Sequence, residues 1–246
     1  MLKTLKKLAP EFGGDNQQNR EAWLIKVLSA IPPGSRILDA GAGELRNKKY
    51  CTHLQYVSQD LCAYHGNGDG TGLQTGTWDT GQIDIVSNIT SIPLPDNSFD
   101  AILCSEVLEH IPDPTLAIDE FSRLLKKNGT LILTVPFCSL THFAPYHFVS
   151  GLNRYWYIEH LQQKRFDIIE LSTNGDWFRF LAQEVRRLPV IMDQYGNGFT
   201  WLGLLVSYLF TKYLASVSRK CLGTEALLCY GYHCLARKMD GDDVLS

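Results

Sequence analysis

The stretch RILDAGAGELRN places an aspartate and two glycines directly after a short apolar run. Gly41 and Gly43 have no side chain to keep a ligand away from the backbone, and Asp39 can accept hydrogen bonds from an amine or orient the turn. Asp60 ends the next apolar run, where a carboxylate binds both ribose hydroxyls of an adenosine cofactor. A dinucleotide, with two phosphates, favours a third glycine where this chain has Leu45. The pattern therefore predicts an adenosine ligand that carries no phosphate.

A second group of chemically capable residues lies in the stretch EVLEH. Glu106, Glu109 and His110 have the spacing i, i+3 and i+4, which puts them on one face if the stretch begins a helix. Two carboxylates and an imidazole are suitable ligands for a divalent metal ion, with His147 in APYHF as a fourth. The alternative is structural, because Glu109 and His110 can also cap the helix and brace the adjoining loop.

Strand-like apolar runs alternate with helical segments along the chain, which predicts βαβ units and a mostly parallel sheet. A helix is predicted over NQQNREAWLIKVLSAI and a proline-interrupted helical region over EVLEHIPDPTLAIDEFSRLLKKNG. Residues 65–82 are rich in Gly, Thr and Asp and read as a long loop, either a lid or a connector. The predicted strands are SRILDAG, LQYVSQD, IDIVSNI, FDAILCS, GTLILTVPF, RFDIIELSTN and EALLCYGYHCLARK.

The order of ILDAGAGE, an acidic strand end, SIPLPDNSFDAILCSEVLEHIPDP and GTLILTVPF resembles the class I S-adenosylmethionine-dependent methyltransferases, in particular the ubiquinone-type group. The resemblance covers approximately residues 36–171 and, with the closing strand, almost the whole chain. It implies an α/β, Rossmann-like fold with a seven-stranded, mostly parallel sheet, helices on both faces and an antiparallel last strand. It also implies S-adenosyl-L-methionine as the cofactor.

The resemblance implies a role for each residue of the cofactor site. Two positions depart from the family pattern, namely Leu45 in place of a glycine and Asn88 in place of an aspartate, although an amide carbonyl can still contact the adenine amino group. The implied contacts are Asp39, Gly41 and Gly43 to the methionine part, Asp60 to the ribose, Asn88 and Ile89 to the adenine, and Ser105 and Glu106 beside the methyl group.

A methyl group on a sulfonium is already activated, so the protein needs to align the acceptor and remove its proton. The EVLEH arrangement resembles the metal site of small-RNA and ubiquinone-pathway O-methyltransferases, and the implied ligands are Glu106, Glu109, His110 and His147. Without a metal, His142 or His147 can act as the general base, and His110 is a further catalytic candidate.

The whole chain, residues 1–246, is expected to form one methyltransferase domain. An aromatic-rich segment at 137–160 is predicted to cover the substrate, and an apolar helical insertion is predicted at 189–217. Residues 198–217 are apolar for nearly the width of a bilayer, but a crossing there would separate the last strand from its sheet. We therefore expect a buried helix, a homodimer surface, an acceptor-site wall or peripheral membrane contact, and no transmembrane span.

Composition limits the expected partners and the cellular compartment. A formal charge of −3 gives no broad field to attract nucleic acid, and seven cysteines without a CxxC pair argue against a disulfide framework or a zinc knuckle. The opening MLKTLKKLAP can form a small basic amphipathic helix or a solvated end. No secretory signal is recognisable, so a reducing, cytoplasmic location is expected.

The sequence thus predicts a methyltransferase acting on a small-molecule or glycan-like acceptor, at oxygen. The alternatives are methylation at nitrogen or carbon, and a catalytically silent methyltransferase-like subunit that binds a partner. An NAD-dependent oxidoreductase is disfavoured by Leu45.

Overall fold

The computed structural model describes residues 12–196 and 201–240. Contacts divide the chain into two compact units. The sheet unit comprises Ala22–Ser172 and Gly231–Ser246, and the helical unit comprises Met1–Glu21 and Thr173–Tyr230. The expectation that residues 1–246 fold as one domain stays a prediction.

A seven-stranded sheet with the order β3-β2-β1-β4-β5-β7-β6 forms the framework. Strands β1 to β5 pair in parallel, and β7 pairs antiparallel with β5, which confirms the predicted fold class. The strands are β1 (Arg36–Ala40), β2 (Gln55–Asp60), β3 (Ile85–Val86), β4 (Phe99–Ser105), β5 (Leu125–Pro136), β6 (Phe166–Asn174) and β7 (Gly231–Lys238). The helices are α1 (Asn16–Ser29), α2 (Pro114–Leu124), α3 (Arg154–Gln163), α4 (Trp177–Tyr195) and α5 (Trp201–Ser218).

The central strands are buried on both faces, as expected for parallel strands covered by helices. In β4, residues 101–104 are fully buried, and the same is true of residues 131–133 in β5. Helix α2 begins at Pro114 behind Asp113, whose side chain accepts a 3.0 Å hydrogen bond from the Thr115 amide. Its apolar face, including Ile118 and Phe121, is buried.

The strand order reverses between β1 and β4, because the chain runs outward to β2 and β3 on one side and to β5 on the other. In open α/β sheets the ligand crevice lies at such a switch point, outside the carboxyl ends of the strands. The turn after β1 and the EVLEH stretch after β4 both lie at this edge.

The prediction that EVLEH begins a helix is wrong. Glu106 has a φ of 57°, in the left-handed region, and only Leu108–His110 form a short 3-10 helix. Glu106 therefore does not share a helical face with Glu109 and His110. The third strand is also shorter than its apolar run predicts, since only Ile85–Val86 pair with β2.

The apolar segment at 189–217 spans the end of α4 and most of α5, and Pro189 lies inside α4. Within the residues that the structure describes, no helix combines the length and apolar character that a membrane span requires. The predicted amphipathic segment MLKTLKKLAP lies outside the described residues.

Candidate active site

The turn after β1 requires glycine at its first position. Gly41 has a φ of 76°, and its amide donates a 2.8 Å hydrogen bond to the carbonyl of Gln59. A Cβ atom at this position would come within 2.5 Å of the Val107 side chain, so a larger residue is excluded by both strain and contact. Leu45, at the place of the absent third glycine, has a φ of 58°, a conformation that favours glycine.

Asp60 holds this turn against the end of β2. Its Oδ2 atom accepts a 2.9 Å hydrogen bond from the Gly43 amide, and its Oδ1 atom accepts a 2.8 Å hydrogen bond from the Cys62 amide. Each carboxylate oxygen has a second lone pair, so Asp60 retains capacity for two further donors such as ribose hydroxyls.

Two exposed apolar side chains accompany Asp60, and the sequence reasoning missed both. Leu61 follows it directly and is 52% exposed, while Val86 pairs with Asp60 across β2 and β3 and is 64% exposed. Exposed apolar groups beside a ligand crevice are suitable for stacking on a flat ring. An apolar residue directly after an acidic strand end was the available signal.

Asp39 is buried behind the turn, with 1% of its surface exposed. Its Oδ2 atom accepts a 2.7 Å hydrogen bond from the Tyr56 hydroxyl. Burial raises the pKa of Asp39 to about 6, although the Tyr56 hydrogen bond acts in the opposite direction. Tyr56 is a partner that the sequence did not indicate, and the predicted contact of Asp39 with the methionine part stays a prediction.

The residues predicted at the adenine lie after β3. Asn88 is exposed, and its Oδ1 atom accepts 3.0 Å hydrogen bonds from both the amide and the hydroxyl of Thr90. Ile89 is buried, with 4% exposed. The side-chain carbonyl of Asn88 thus accepts hydrogen bonds within a local turn. Its contact with the adenine stays a prediction.

Ser105 and Glu106 meet Thr134 at the carboxyl ends of β4 and β5. Thr134 Oγ1 donates a 3.1 Å hydrogen bond to Glu106 Oε1, and the hydroxyls of Ser105 and Thr134 are 2.8 Å apart. Thr134 is 1% exposed and was not singled out in the sequence. Strand register places it there, because Ser105 pairs with Thr134.

Two histidines converge on a buried carboxylate. Glu109 Oε1 lies 3.8 Å from His110 Nε2 and 4.0 Å from His142 Nε2, and Glu109 is 1% exposed. The Nδ1 atoms of His110 and His142 face the carbonyls of Tyr146 and Leu140, which can only accept. The tautomer with a proton on Nδ1 therefore leaves a lone pair on each Nε2, the atom that lies within 4.0 Å of Glu109 Oε1.

The set of possible metal ligands that the structure brings together differs from the predicted set. One ligand atom each from Glu109, His110 and His142 lies within 4.8 Å of the others. Glu106 instead accepts the hydrogen bond from Thr134, and His147 Nε2 is 3.1 Å from Ser139 Oγ, although its ring lies 4.8 Å from that of His142.

Burial affects the charge of His110 and His147. It lowers the pKa of His110 to about 3, and the neighbouring His142 adds to the effect. It also lowers the pKa of His147. His110 is therefore a neutral imidazole at pH 7, the form that binds metals and the form that is a weak base here.

An aromatic layer of Tyr64, Trp78 and Phe143 covers both the glycine turn after β1 and the histidine cluster. Phe143 stacks on Tyr64 at 4.5 Å and on His110 at 5.2 Å, and Trp78 meets its edge at 5.0 Å. Trp78 also packs on Gly43, where a Cβ atom would come within 2.6 Å of the indole ring.

The long loop at 65–82 and the predicted cover at 137–160 are joined by backbone hydrogen bonds. The Leu73 amide donates to the Thr141 carbonyl at 2.9 Å, and the Phe143 amide donates to the Leu73 carbonyl at 3.1 Å. The two segments thus form one layer above the carboxyl edge of the sheet.

Comparison with known proteins shows which families the chain is similar to. Residues 38–133 match the family model described as a methyltransferase domain. A demethylmenaquinone methyltransferase of Renibacterium salmoninarum is 28% identical over 175 residues, which cover 68% of this chain and 66% of that protein. A ubiquinone biosynthesis O-methyltransferase of Xylella fastidiosa is 32% identical over 109 residues, which cover 41% and 42%. The matched part of the chain thus spans less than two thirds of the length of either relative.

Solved structures show the same fold. The cyclase SpnF superposes with a TM-score of 0.55 at 20% identity, covering 91% of this chain and 81% of that one. The YcgJ protein of Bacillus subtilis superposes with a TM-score of 0.51 at 13% identity, covering 89% and 98%. At these identities the likeness shows the fold alone.

Proposed function

We propose that the chain is a class I S-adenosylmethionine-dependent methyltransferase and that it transfers the methyl group to a hydroxyl oxygen of a small-molecule or glycan-like acceptor. One observation carries the proposal. The aromatic layer runs from Gly43, through Trp78 and Phe143, to His110, so one cover encloses the glycine turn and the histidine cluster. A cofactor on the turn and an acceptor at the cluster would then lie next to each other.

The residues present fit the cofactor. The Gly41–Gly43 turn brings backbone close to the crevice, and a Cβ atom at either glycine would fill space that Val107 or Trp78 already limits. Asp60 has the free lone pairs to accept the ribose hydroxyls, and Leu61 offers an apolar surface for the adenine. S-adenosylmethionine supplies a methyl group that its positively charged sulfur has already activated.

His142 is the proposed general base for the acceptor hydroxyl. Its Nδ1 proton is directed to the Leu140 carbonyl, which leaves Nε2 to take the proton. Glu109 Oε1, 4.0 Å away, would stabilise the imidazolium that forms. His110 is a weak base because burial lowers its pKa, and its stacking on Phe143 positions the cluster instead. His147, whose Nε2 faces Ser139, is the alternative base.

A second candidate mechanism, in which a divalent metal ion activates the acceptor hydroxyl, is favoured by the convergence of three ligand atoms. Glu109, His110 and His142 would hold a divalent ion through one carboxylate oxygen and two neutral imidazoles, with the Nδ1 protons fixed by backbone carbonyls. Such an ion would lower the pKa of an acceptor hydroxyl bound next to it. This set replaces Glu106 and His147 of the predicted ligands with His142.

The cysteines support a reducing location. All seven lie within the described residues and are free thiols, four of them buried. We propose that the protein resides in the cytoplasm, where such thiols stay reduced. Cell fractionation tests this, and recovery only from an oxidising compartment would contradict it.

The experiment that tests the function uses S-adenosylmethionine with a trideuterated methyl group. The full chain is incubated with a panel of phenols, catechols, sugars and amines, and with a small-molecule extract, and products are located by tandem mass spectrometry. Label on a hydroxyl oxygen is expected. Label on nitrogen or carbon would contradict oxygen as the methylated atom. Absence of any transfer, together with absence of S-adenosylhomocysteine binding, would contradict the enzyme itself.

A further inference from the structure

The helical unit exposes an apolar stripe along α5. Helix α5 buries Thr211 and Leu214, while residues on other faces stay exposed. The exposed fractions of the large apolar side chains range from 38% at Tyr208 to 74% at Trp201. These side chains are Trp201, Leu202, Leu205, Val206, Tyr208, Leu209, Phe210 and Tyr213. Their spacing follows one side of the helix over about three and a half turns.

An exposed apolar surface of this size marks an interaction site, because a helix that stays in water is normally polar on its outer face. The function proposed above uses none of these residues. The stripe therefore needs an occupant of its own.

Charge indicates which occupant fits. Residues 201–223 contain Lys212, Arg219 and Lys220 and no aspartate or glutamate. Trp201, Tyr208 and Tyr213 add aromatic side chains that are amphipathic and suit the boundary between lipid headgroups and acyl chains. A helix with large apolar residues and only basic charges matches an anionic lipid surface.

A cavity in the same unit is lined by arginines, one of which, Arg187, forms a 2.6 Å ion pair with Glu184. It measures about 290 Å³, and the charged residues in its lining are all arginines. Arg186 and Arg187 lie one turn before Val190 of α4, which is 58% exposed, so basic and apolar side chains are neighbours on α4 as well. The lining residues are Gly13, Gly14, Asn16, Gln17, Arg20, Gln183, Arg186 and Arg187.

We propose that the helical unit docks on an anionic lipid surface, with α5 in the plane of the interface and its apolar stripe in the outer acyl region. An 18-residue helix is roughly 27 Å long and can lie along the surface over its whole length. Lys212, Arg219 and Lys220 then face anionic headgroups. The interaction does not depend on the methyl transfer proposed above.

Vesicle co-sedimentation of the full chain tests the proposal. Binding to phosphatidylcholine vesicles that contain phosphatidylglycerol is expected, with much weaker binding to pure phosphatidylcholine. The triple substitution Leu202→Gln, Val206→Gln and Leu209→Gln should weaken binding by about tenfold or more, because it removes apolar area from the stripe. Glutamine favours helix, so circular dichroism should show an unchanged helix content.

A matched triple substitution serves as control. Ile25, Leu116 and Ile169 are 45–49% exposed and lie in the sheet unit. Their replacement by glutamine should leave vesicle binding unchanged. Equal losses in both triple variants, or no loss in the α5 variant, would overturn the proposal.

A second measurement locates the helix in the lipid. Brominated phosphatidylcholine in the anionic vesicles should quench tryptophan fluorescence, and Trp201→Phe should remove most of that quenching. The oligomeric state is measured by light scattering in parallel. A wild-type dimer that becomes a monomer in the α5 variant, without vesicle binding by either, would overturn the proposal in favour of a second copy of this chain as the occupant.

Discussion

The backbone amide of Gly43 donates a 2.9 Å hydrogen bond to Oδ2 of Asp60, and this bond joins the turn after β1 to the end of β2. The carboxylate thereby fixes the glycine turn while it retains lone pairs for a ligand. One residue pair thus links the backbone of the candidate site to the carboxylate that we propose binds the ribose.

Gly41→Ala tests the crowding of the turn. The alanine would adopt a φ of 76° and place its Cβ within 2.5 Å of Val107. We expect a loss of about 2–4 kcal/mol in the free energy of unfolding, since backbone strain and overpacking add. Urea denaturation measures it.

Gly34→Ala is the matched control for Gly41. Gly34 has a φ of 79°, but a Cβ there would meet nothing within 4 Å. This variant should lose only about 1–2 kcal/mol, from strain alone. Equal losses in the two variants would show that contact with Val107 contributes nothing.

Asp39→Asn tests the cost of the buried carboxylate. The pKa of Asp39 is raised from 3.8 to about 6, so the folded state keeps a proton that the unfolded state releases between these pH values. Stability therefore falls as the pH rises through that window, by up to about 3 kcal/mol. The variant should gain about 1 kcal/mol more, relative to wild type, at pH 7.5 than at pH 5. Thermal unfolding at both pH values measures this.

Asp84 provides a control in which the pH dependence of stability has the opposite sign. The amide and the hydroxyl of Ser58 donate to its carboxylate, and both bonds lower the pKa of Asp84. Its ionised form stabilises the fold above the ordinary pKa and loses that effect as the pH falls. Asp84→Asn should therefore be more destabilising at pH 7.5 than near pH 3. Parallel pH profiles in the two variants would contradict the buried-carboxylate account of Asp39.

The sequence predicted the fold well because its main signal is local. The apolar runs that end in Asp39 and Asp60 became β1 and β2, and the glycines between them formed the expected turn. Side-chain alternation and strand length fix such features within a few residues.

The histidine cluster was predicted only in part because its geometry depends on distant contacts. The spacing of Glu106, Glu109 and His110 suits a helix, but the left-handed conformation of Glu106 and its bond to Thr134 turn it away. His142 enters through the segment that pairs with Leu73, a contact across 69 residues that no local pattern reports. Packing overrode the helical period here.

Glu109→Gln and His142→Ala test the cluster. Because Glu109 lies 4.0 Å from His142, each variant should lower turnover by about 100-fold or more, while S-adenosylhomocysteine affinity stays within about twofold of wild type. The exposed His65 provides the control variant, His65→Ala, which should keep full activity. Full turnover in both cluster variants would contradict any role for the cluster in proton removal.

Chelation distinguishes the two candidate mechanisms for removing the proton of the acceptor hydroxyl, a bound divalent ion and His142 as general base. If a divalent ion is held by Glu109, His110 and His142, EDTA should abolish turnover and added manganese or zinc should restore it. If His142 acts as the base alone, turnover should be unaffected by EDTA, and His142→Gln should lower turnover whether or not EDTA is present.

Calorimetric titration of S-adenosylhomocysteine into the wild type, Asp60→Ala and Asp69→Ala tests the central claim most directly. Asp69 is a matched control, because its carboxylate accepts a 2.8 Å hydrogen bond from the amide two residues ahead, as that of Asp60 does. We predict one site in the wild type, an unchanged affinity in Asp69→Ala, and a loss in Asp60→Ala of about 1.5–3 kcal/mol for each charged hydrogen bond removed. No binding by the wild type, or equal affinity in all three proteins, would contradict an adenosine cofactor held at the Gly43–Asp60 turn.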